Sequence, residues 1–206
     1  MVLFNPKCKT LFRRNLDTFK VTNELTDQRY AQVKDWLVTE KMDGMSVILS
    51  INTEDHAYFG RSRNTNFNAE QQQFMDEAFH SANYQLFKIG FEKPVDIYAE
   101  LVGPGIQGNP HNLDALELFV FDARVNDFWL DWDNVCDIAE KAGLQTVSLA
   151  TPDGERVSAE YVVSFIDYHL KFPQDEYCEG FVARTDPYLY DNMGNRIMWK
   201  LKVSDY

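Results

Sequence analysis

Lys41 stands in the stretch TEKMDG, between the apolar pair Trp36 and Leu37 and the run MSVILSI. An ammonium carried toward the interior of a sheet is costly unless a neighbour pairs with it or its proton is given up. Lys41 therefore lies either at an exposed strand end, where it does nothing, or in a cleft, where an amine can do chemistry. Other charged residues at strand positions raise the same question. In DIYAELVG a period of two puts Ile97, Ala99 and Leu101 on one face and Asp96, Tyr98 and Glu100 on the other. Glu179 opens EGFVAR, and in MWKLKV Lys200 and Lys202 share a face, with Trp199, Leu201 and Val203 on the reverse. Singly, each reads as an outward-facing residue of a half-solvated sheet. Jointly, and in this order, that plain reading weakens.

Several other motifs do not hold up. GPGIQG, Gly103 to Gly108, satisfies G-x-G-x-x-G after a strand, but Asn109-Pro110 follows where a dinucleotide fold needs a helix. It is a glycine-rich loop. His56, His80, His111 and His169 have no paired metal spacing, so surface or packing roles are expected of them. Ser46 and Ser148 sit in no nucleophile elbow. Cys8, Cys136 and Cys178 are odd in number and scattered, which indicates neither a disulfide framework nor a zinc site.

The elements that must position the charged set are short. WLVTEK, MSVILSI, VDIYAELV, LELFVFDAR, EGFVAR and RIMWKLKV read as strands. An Asn68/Gln71 capping box opens a helix running to Phe87, with Met75, Ala78, Phe79, Ala82 and Leu86 at helical spacing. DWDNVCDIAEKAG predicts a second helix with Val135, Ile138, Ala139 and Ala142 inward and Gly143 as its stop. Ser158 caps a third, with Val162, Phe165 and Ile166 inward. Strands and helices interleave without βαβ regularity, which predicts an α+β fold of mostly antiparallel sheets.

Composition narrows the function. At 206 residues, 45% of them apolar, the chain can bury a full core as one domain. It has no run of 18 apolar residues and no secretory leader pattern, so a cytoplasmic protein, of cellular or viral coding, without a membrane span is expected. Twenty basic residues against 32 acidic ones give a net charge of −12, which disfavours a nonspecific nucleic-acid coat but leaves room for a local basic cleft. Arg61, Arg63, Lys200 and Lys202 are the residues to watch.

The order of the set carries a resemblance. Lys41 in EKMDG, Arg61 in FGRSRN, Glu100 in YAELVGPGIQGN, Phe121 in LFVFDAR, Glu179 in EGFVAR, and Lys200 with Lys202 in WKLKV resemble motifs I, Ia, III, IIIa, IV and V of the covalent nucleotidyltransferases. That superfamily holds the ATP-dependent DNA ligases, the RNA ligases and the GTP-dependent capping enzymes. ELVGPGIQGN is similar to motif III of the RNA ligase 2 type. The fit covers residues 36 to 206, and residues 1 to 35 carry no usable motif.

The resemblance implies a nucleotidyltransferase fold, an ATP-grasp-like ligase arrangement of sheets and helices around an ATP cleft, with residues 1–206 forming the adenylyltransferase domain. It implies that the Lys41 amine attacks the α-phosphate of ATP, releasing pyrophosphate and leaving a lysyl-adenylate. AMP then passes to a 5′-phosphate end of RNA, or of an RNA/DNA strand, and a 3′-hydroxyl displaces it. A lysine titrates near ~10.4, so such a site must disfavour the ammonium. Lys200, Lys202 and bound Mg2+ or Mn2+ would do so and would neutralise the α-phosphate. The family pattern further implies Phe121 stacking on adenine, Glu100 on the ribose hydroxyls, Arg61 on phosphate or ribose, Glu40 selecting adenine, Asp43 orienting the turn, and Glu179 holding the metal. Ligases of this superfamily carry a further nucleic-acid-binding C-terminal domain, absent from this sequence, so the expectation is an isolated adenylyltransferase domain or a minimal ligase served by a partner. A capping-type guanylyltransferase and a noncatalytic nucleotide- or RNA-end-binding module of the same fold are the alternatives.

Overall fold

The computed structural model describes residues 8–60, 65–151, 154–173 and 177–206. They form two compact units, Asp43–Val147 and residues 8–42 together with Ser148–Tyr206. Each is α+β, with mostly antiparallel sheets and helices packed on them, as the interleaved strand and helix signals predict.

The first unit is built on the sheet order β10-β8-β7-β5-β6, with β9 (Phe128–Trp129) paired to the outside of β8. Its long strands are β5 (Met45–Ile51), β7 (Val95–Val102) and β8 (Glu117–Val125), and its short ones β6 (Ala57–Phe59) and β10 (Gln145–Thr146). Only β10 runs parallel to its neighbour. Two helices pack on this sheet. α1 (Ala69–Lys88) begins as its sequence requires: Asn68 Oδ1 accepts from the Gln71 N–H and Gln71 Oε1 accepts from the Asn68 N–H. Its apolar positions Met75, Phe79, Ala82 and Leu86 are buried. α2 (Trp132–Ala142) starts on the Asp131 cap and stops at Gly143, whose φ of 71° is the left-handed geometry glycine supplies at low cost.

The second unit carries the order β1-β12-β11-β4, that is Lys9–Thr10, Met198–Lys202, Gly180–Arg184 and Leu37–Glu40. A two-stranded ribbon, β2 (Phe12–Arg14) and β3 (Val21–Leu25), follows β1. α3 (Ala159–Lys171) is capped by Ser158 and packs Val162 and Ile166 into a core with Trp36, Val38, Phe181, Ala183, Trp199 and Leu201. Trp36 and Trp199 meet edge-on at 5.4 Å, a geometry worth about 1 kcal/mol beyond burial. Trp199 and Leu201 are fully buried while Lys200 and Lys202 are half-buried, so the alternation read from MWKLKV is correct.

The half-solvated reading of β7 needs correction. Asp96 and Tyr98 are buried although they lie opposite the Ile97 face. Asp96 accepts from the Arg124 guanidinium at 2.7 Å and from the Ser50 hydroxyl at 2.5 Å, while Tyr98 packs with Trp129. A carboxylate can be buried on that face because both its oxygens are satisfied across β5, β7 and β8.

Candidate active site

Glu179 lies just before β11 and is 7% exposed. A buried carboxylate needs charge partners, and it has two: Lys41 Nζ stands 2.5 Å from Oε2, and Lys202 Nζ bonds Oε1. The backbone brings them there. The Lys41 N–H continues the β4–β11 ladder by donating to the Gly180 carbonyl at 2.9 Å, and Gly180 is the register partner of Lys202. Val203 N–H then donates to the Glu179 carbonyl at 2.9 Å. Three segments far apart in sequence thus converge on one carboxylate.

Gly180 makes the convergence possible. Its φ of 149° disfavours other residues, and a Cβ there would come 2.1 Å from the Leu201 carbonyl oxygen and 2.6 Å from Lys202 Cα. Lys200 sits two residues earlier on the same strand face. Burial, reinforced by the Lys41 and Lys202 ammoniums, holds the Lys200 amine below the usual lysine range, against opposing pulls from Cys8 and Glu179. Burial pushes the Cys8 thiol up to about 11, against the lowering pull of Lys200 and Lys41. No disulfide joins the three cysteines. Glu40 pairs with Phe181 in the β4–β11 register, so strand alternation sets it out of step with Lys41.

Glu100 and Phe121 belong to the sheet of the other unit. The β7–β8 register pairs Tyr98 with Asp122 and then Ala99 with Val120, which leaves Phe121 as the extra residue of a bulge. The bulge leaves Phe121 half-buried, against Ile48 and Tyr98. Glu100, also half-buried, pairs with Ser46 and Phe119. Gly44, the glycine of EKMDG, lies against this strand: a Cβ would come 2.4 Å from the Leu101 carbonyl oxygen and 2.9 Å from Glu100 Cγ. The lysine–aspartate–glycine spacing thus has a steric content. Lys41 belongs to the Glu179 ion-pair cluster, and Gly44 lets the chain pass next to the Glu100 strand.

Asp43 between them is positioned by a residue the sequence assigned to surface or packing. Its backbone N–H donates to His111 Nε2 at 3.1 Å, which requires the proton of that ring on Nδ1. The loop carrying His111 is GPGIQGNPHN, closed at Gly103, where φ is 121° and a Cβ would lie 2.4 Å from the Ala115 carbonyl oxygen. Arg61 and Arg63 lie outside the described residues. Among the described residues no group of three or more His, Cys, Asp or Glu is placed to hold a metal. No helix among them is long and apolar enough to cross a membrane.

The RNA ligase family model matches residues 34–202, which take in Lys41, Glu100, Phe121, Glu179, Lys200 and Lys202. The chain belongs to the RNA ligase family. No curated protein matches it. Among solved structures, this RNA ligase family member is similar to Naegleria gruberi RNA ligase. A variant with ATP and Mn aligns at a TM-score of 0.60 and 16% identity, over 98% of this chain and 62% of that one. A variant with AMP and Mn aligns at 0.61 and 16%, again over 98% and 62%. The ligase with PPi aligns at 0.58 and 18%, over 98% and 62%. At such identity the likeness establishes the fold, and the chain spans less than two thirds of the length of these structures.

Proposed function

We propose that this chain is the adenylyltransferase part of an ATP-dependent RNA ligase. The observation that carries the reading is the Lys41–Glu179–Lys202 cluster, in a chain that belongs to the RNA ligase family.

Lys41 is the nucleophile in this reading. Its amine must leave Glu179 and lose its proton before its lone pair can attack the α-phosphorus of ATP. A P–N bond forms, the bond between α-phosphorus and the bridging oxygen breaks, and that oxygen leaves with pyrophosphate. Lys200 and Lys202 stand on one strand face and neutralise the charge that develops on the α-phosphate. Glu179 is the carboxylate that would hold a metal in this reading. One carboxylate with phosphate oxygens and water fits the coordination habit of magnesium. When bound, the metal supplies charge neutralisation at the phosphates. Phe121 stacks on adenine, Glu100 accepts from the ribose hydroxyls, Arg61 contacts phosphate or ribose, and Glu40 selects the base, as the family pattern implies.

AMP then passes from Lys41 to an RNA 5′-phosphate, and a 3′-hydroxyl attacks that phosphorus and releases AMP. Lengths outside this chain in the similar structures leave room for a further nucleic-acid-binding part.

The test is covalent labelling. Incubation with α-32P-ATP and magnesium or manganese labels the wild-type chain, and Lys41→Ala abolishes the label. Persistence of the label in that variant refutes the reading. GTP labelling without ATP labelling indicates a guanylyltransferase, and tight ATP binding with no adduct indicates a noncatalytic module.

A further inference from the structure

Residues 1 to 35 carry no family motif, yet Lys9 and Thr10 are built into the sheet beside the lysine strand. β1 pairs parallel with β12, setting Thr10 opposite Lys200, and the Leu11 N–H donates to the Lys200 carbonyl at 2.9 Å. The Lys200 carbonyl therefore faces β1. Two residues on, the Lys202 N–H points the same way, but β1 has already left the sheet. A strand N–H without an acceptor is costly. Asp205 supplies one: its Oδ2 accepts from the Lys202 N–H at 2.9 Å. Its Oδ1 is bonded by the Arg14 guanidinium, which returns from β2.

Asp205 is 2% exposed, so its charge is tolerated through these two contacts. Lys20 adds a contact from the same ribbon, donating to the Ser204 carbonyl at 3.3 Å. Three groups meet Lys202: Gly180 as its register partner, Glu179 at its ammonium, and Asp205 at its backbone N–H. The first two belong to motif positions. The third does not.

We propose that Asp205, held by Arg14, is a positioning residue that fixes Lys202 for the reaction at the α-phosphate. The proposal rests on the ligase reading given above. If Lys202 acts on charge that grows in the transition state, displacing it lowers the rate of adenylate formation more than it weakens ATP binding.

Two variants separate positioning from general stability. Asp205→Ala removes the acceptor, and Asp205→Asn keeps an oxygen for the Lys202 N–H while losing the charge partner of Arg14. Rates of lysyl-adenylate formation are measured per folded molecule. In parallel, acetylation of Lys202 is followed by mass spectrometry, with exposed Lys9 as the control. Asp205→Ala is expected to slow labelling about tenfold or more at saturating ATP, with a KM change of less than about threefold. It is also expected to raise Lys202 acetylation alone, and Asp205→Asn to restore most of both. A wild-type acetylation pattern in Asp205→Ala overturns the proposal, whatever the rate. So does a lost rate that Asp205→Asn fails to recover. If the wild-type chain takes no label while Asp205→Ala still exposes Lys202, the ligase reading fails and the positioning stands.

Discussion

Lys41 Nζ lies 2.5 Å from Glu179 Oε2, and the opposite oxygen of the same carboxylate is taken by Lys202. The arrangement stores the amine as an ion pair, and an ion-paired ammonium does not attack phosphorus. Anything that draws Glu179 away loosens the hold on Lys41. Glu179→Gln keeps the shape and removes the charge, leaving two ammoniums facing a neutral amide. The expected result is a stability loss of about 2 kcal/mol, below the full cost of a broken buried pair because both lysines are partly hydrated. Adenylate formation falls at least tenfold, or about 1.4 kcal/mol in activation free energy. Denaturant midpoints and labelling rates check the two effects separately.

Gly180→Ala strikes the same cluster through the backbone. The added methyl meets the Leu201 carbonyl and Lys202 Cα, and neither can rotate away. A loss of about 2–4 kcal/mol is expected, measured as a lower midpoint in urea. Gly90→Ala is the contrast: its φ is also positive at 72°, but nothing lies within 4 Å of the added Cβ. Only the backbone strain of about 1 kcal/mol should appear there.

Phe121→Ala is expected to weaken ATP binding by roughly 1–3 kcal/mol, the range for an aromatic ring stacked on a base. Isothermal titration of ATP measures it. An unchanged affinity would mean that adenine binds elsewhere and that Phe121 serves only the cluster with Ile48 and Tyr98.

Acid should weaken the second unit through Arg29, which bonds Asp27 and, at 3.1 Å, Asp191. Hydrogen bonds from Asn195 first, and also from Arg29, hold the Asp191 carboxyl down to about 2, and Arg29 holds Asp27 well below the carboxylate range. Both groups are depressed in the folded state, so their stabilisation is present above the unfolded value of 3.8 and is lost as pH falls through the folded ones. Arg29→Ala should therefore lower Tm at neutral pH, and the gap to wild type should narrow as pH falls from about 4 to about 2. A gap that stays constant over that window contradicts the assignment.

What the sequence made legible is what local chemistry decides. The Asn68/Gln71 box, the Gly143 stop and the Ser158 cap all form where their side chains and φ preferences require. The six long strand segments follow from their β-branched and aromatic runs, and the split of Trp199 and Leu201 from Lys200 and Lys202 follows from the period of two. What stayed hidden depends on distant partners. β1, β6, β9 and β10 are two or three residues long and exist because a neighbouring strand accepts them. Asp96 reads as a solvent-facing acid until Ser50 and Arg124 are seen closing over it. The bulge at Phe121 leaves no mark in its own segment. Arg14 and Asp205 are 191 residues apart, and no spacing rule could join them. The same holds for His111, which reaches the Asp43 N–H across 68 residues.

The indole of Trp199 occupies the reverse side of the strand that bears Lys200, edge-on to Trp36 and sealed from solvent. The protein thereby carries an optical reporter beside Lys200: any shift of that strand would change the surroundings of a buried fluorophore one residue away. With Trp36, Trp129 and Trp132 replaced by phenylalanine, the emission of Trp199 would follow that strand in a stopped-flow instrument without any attached dye.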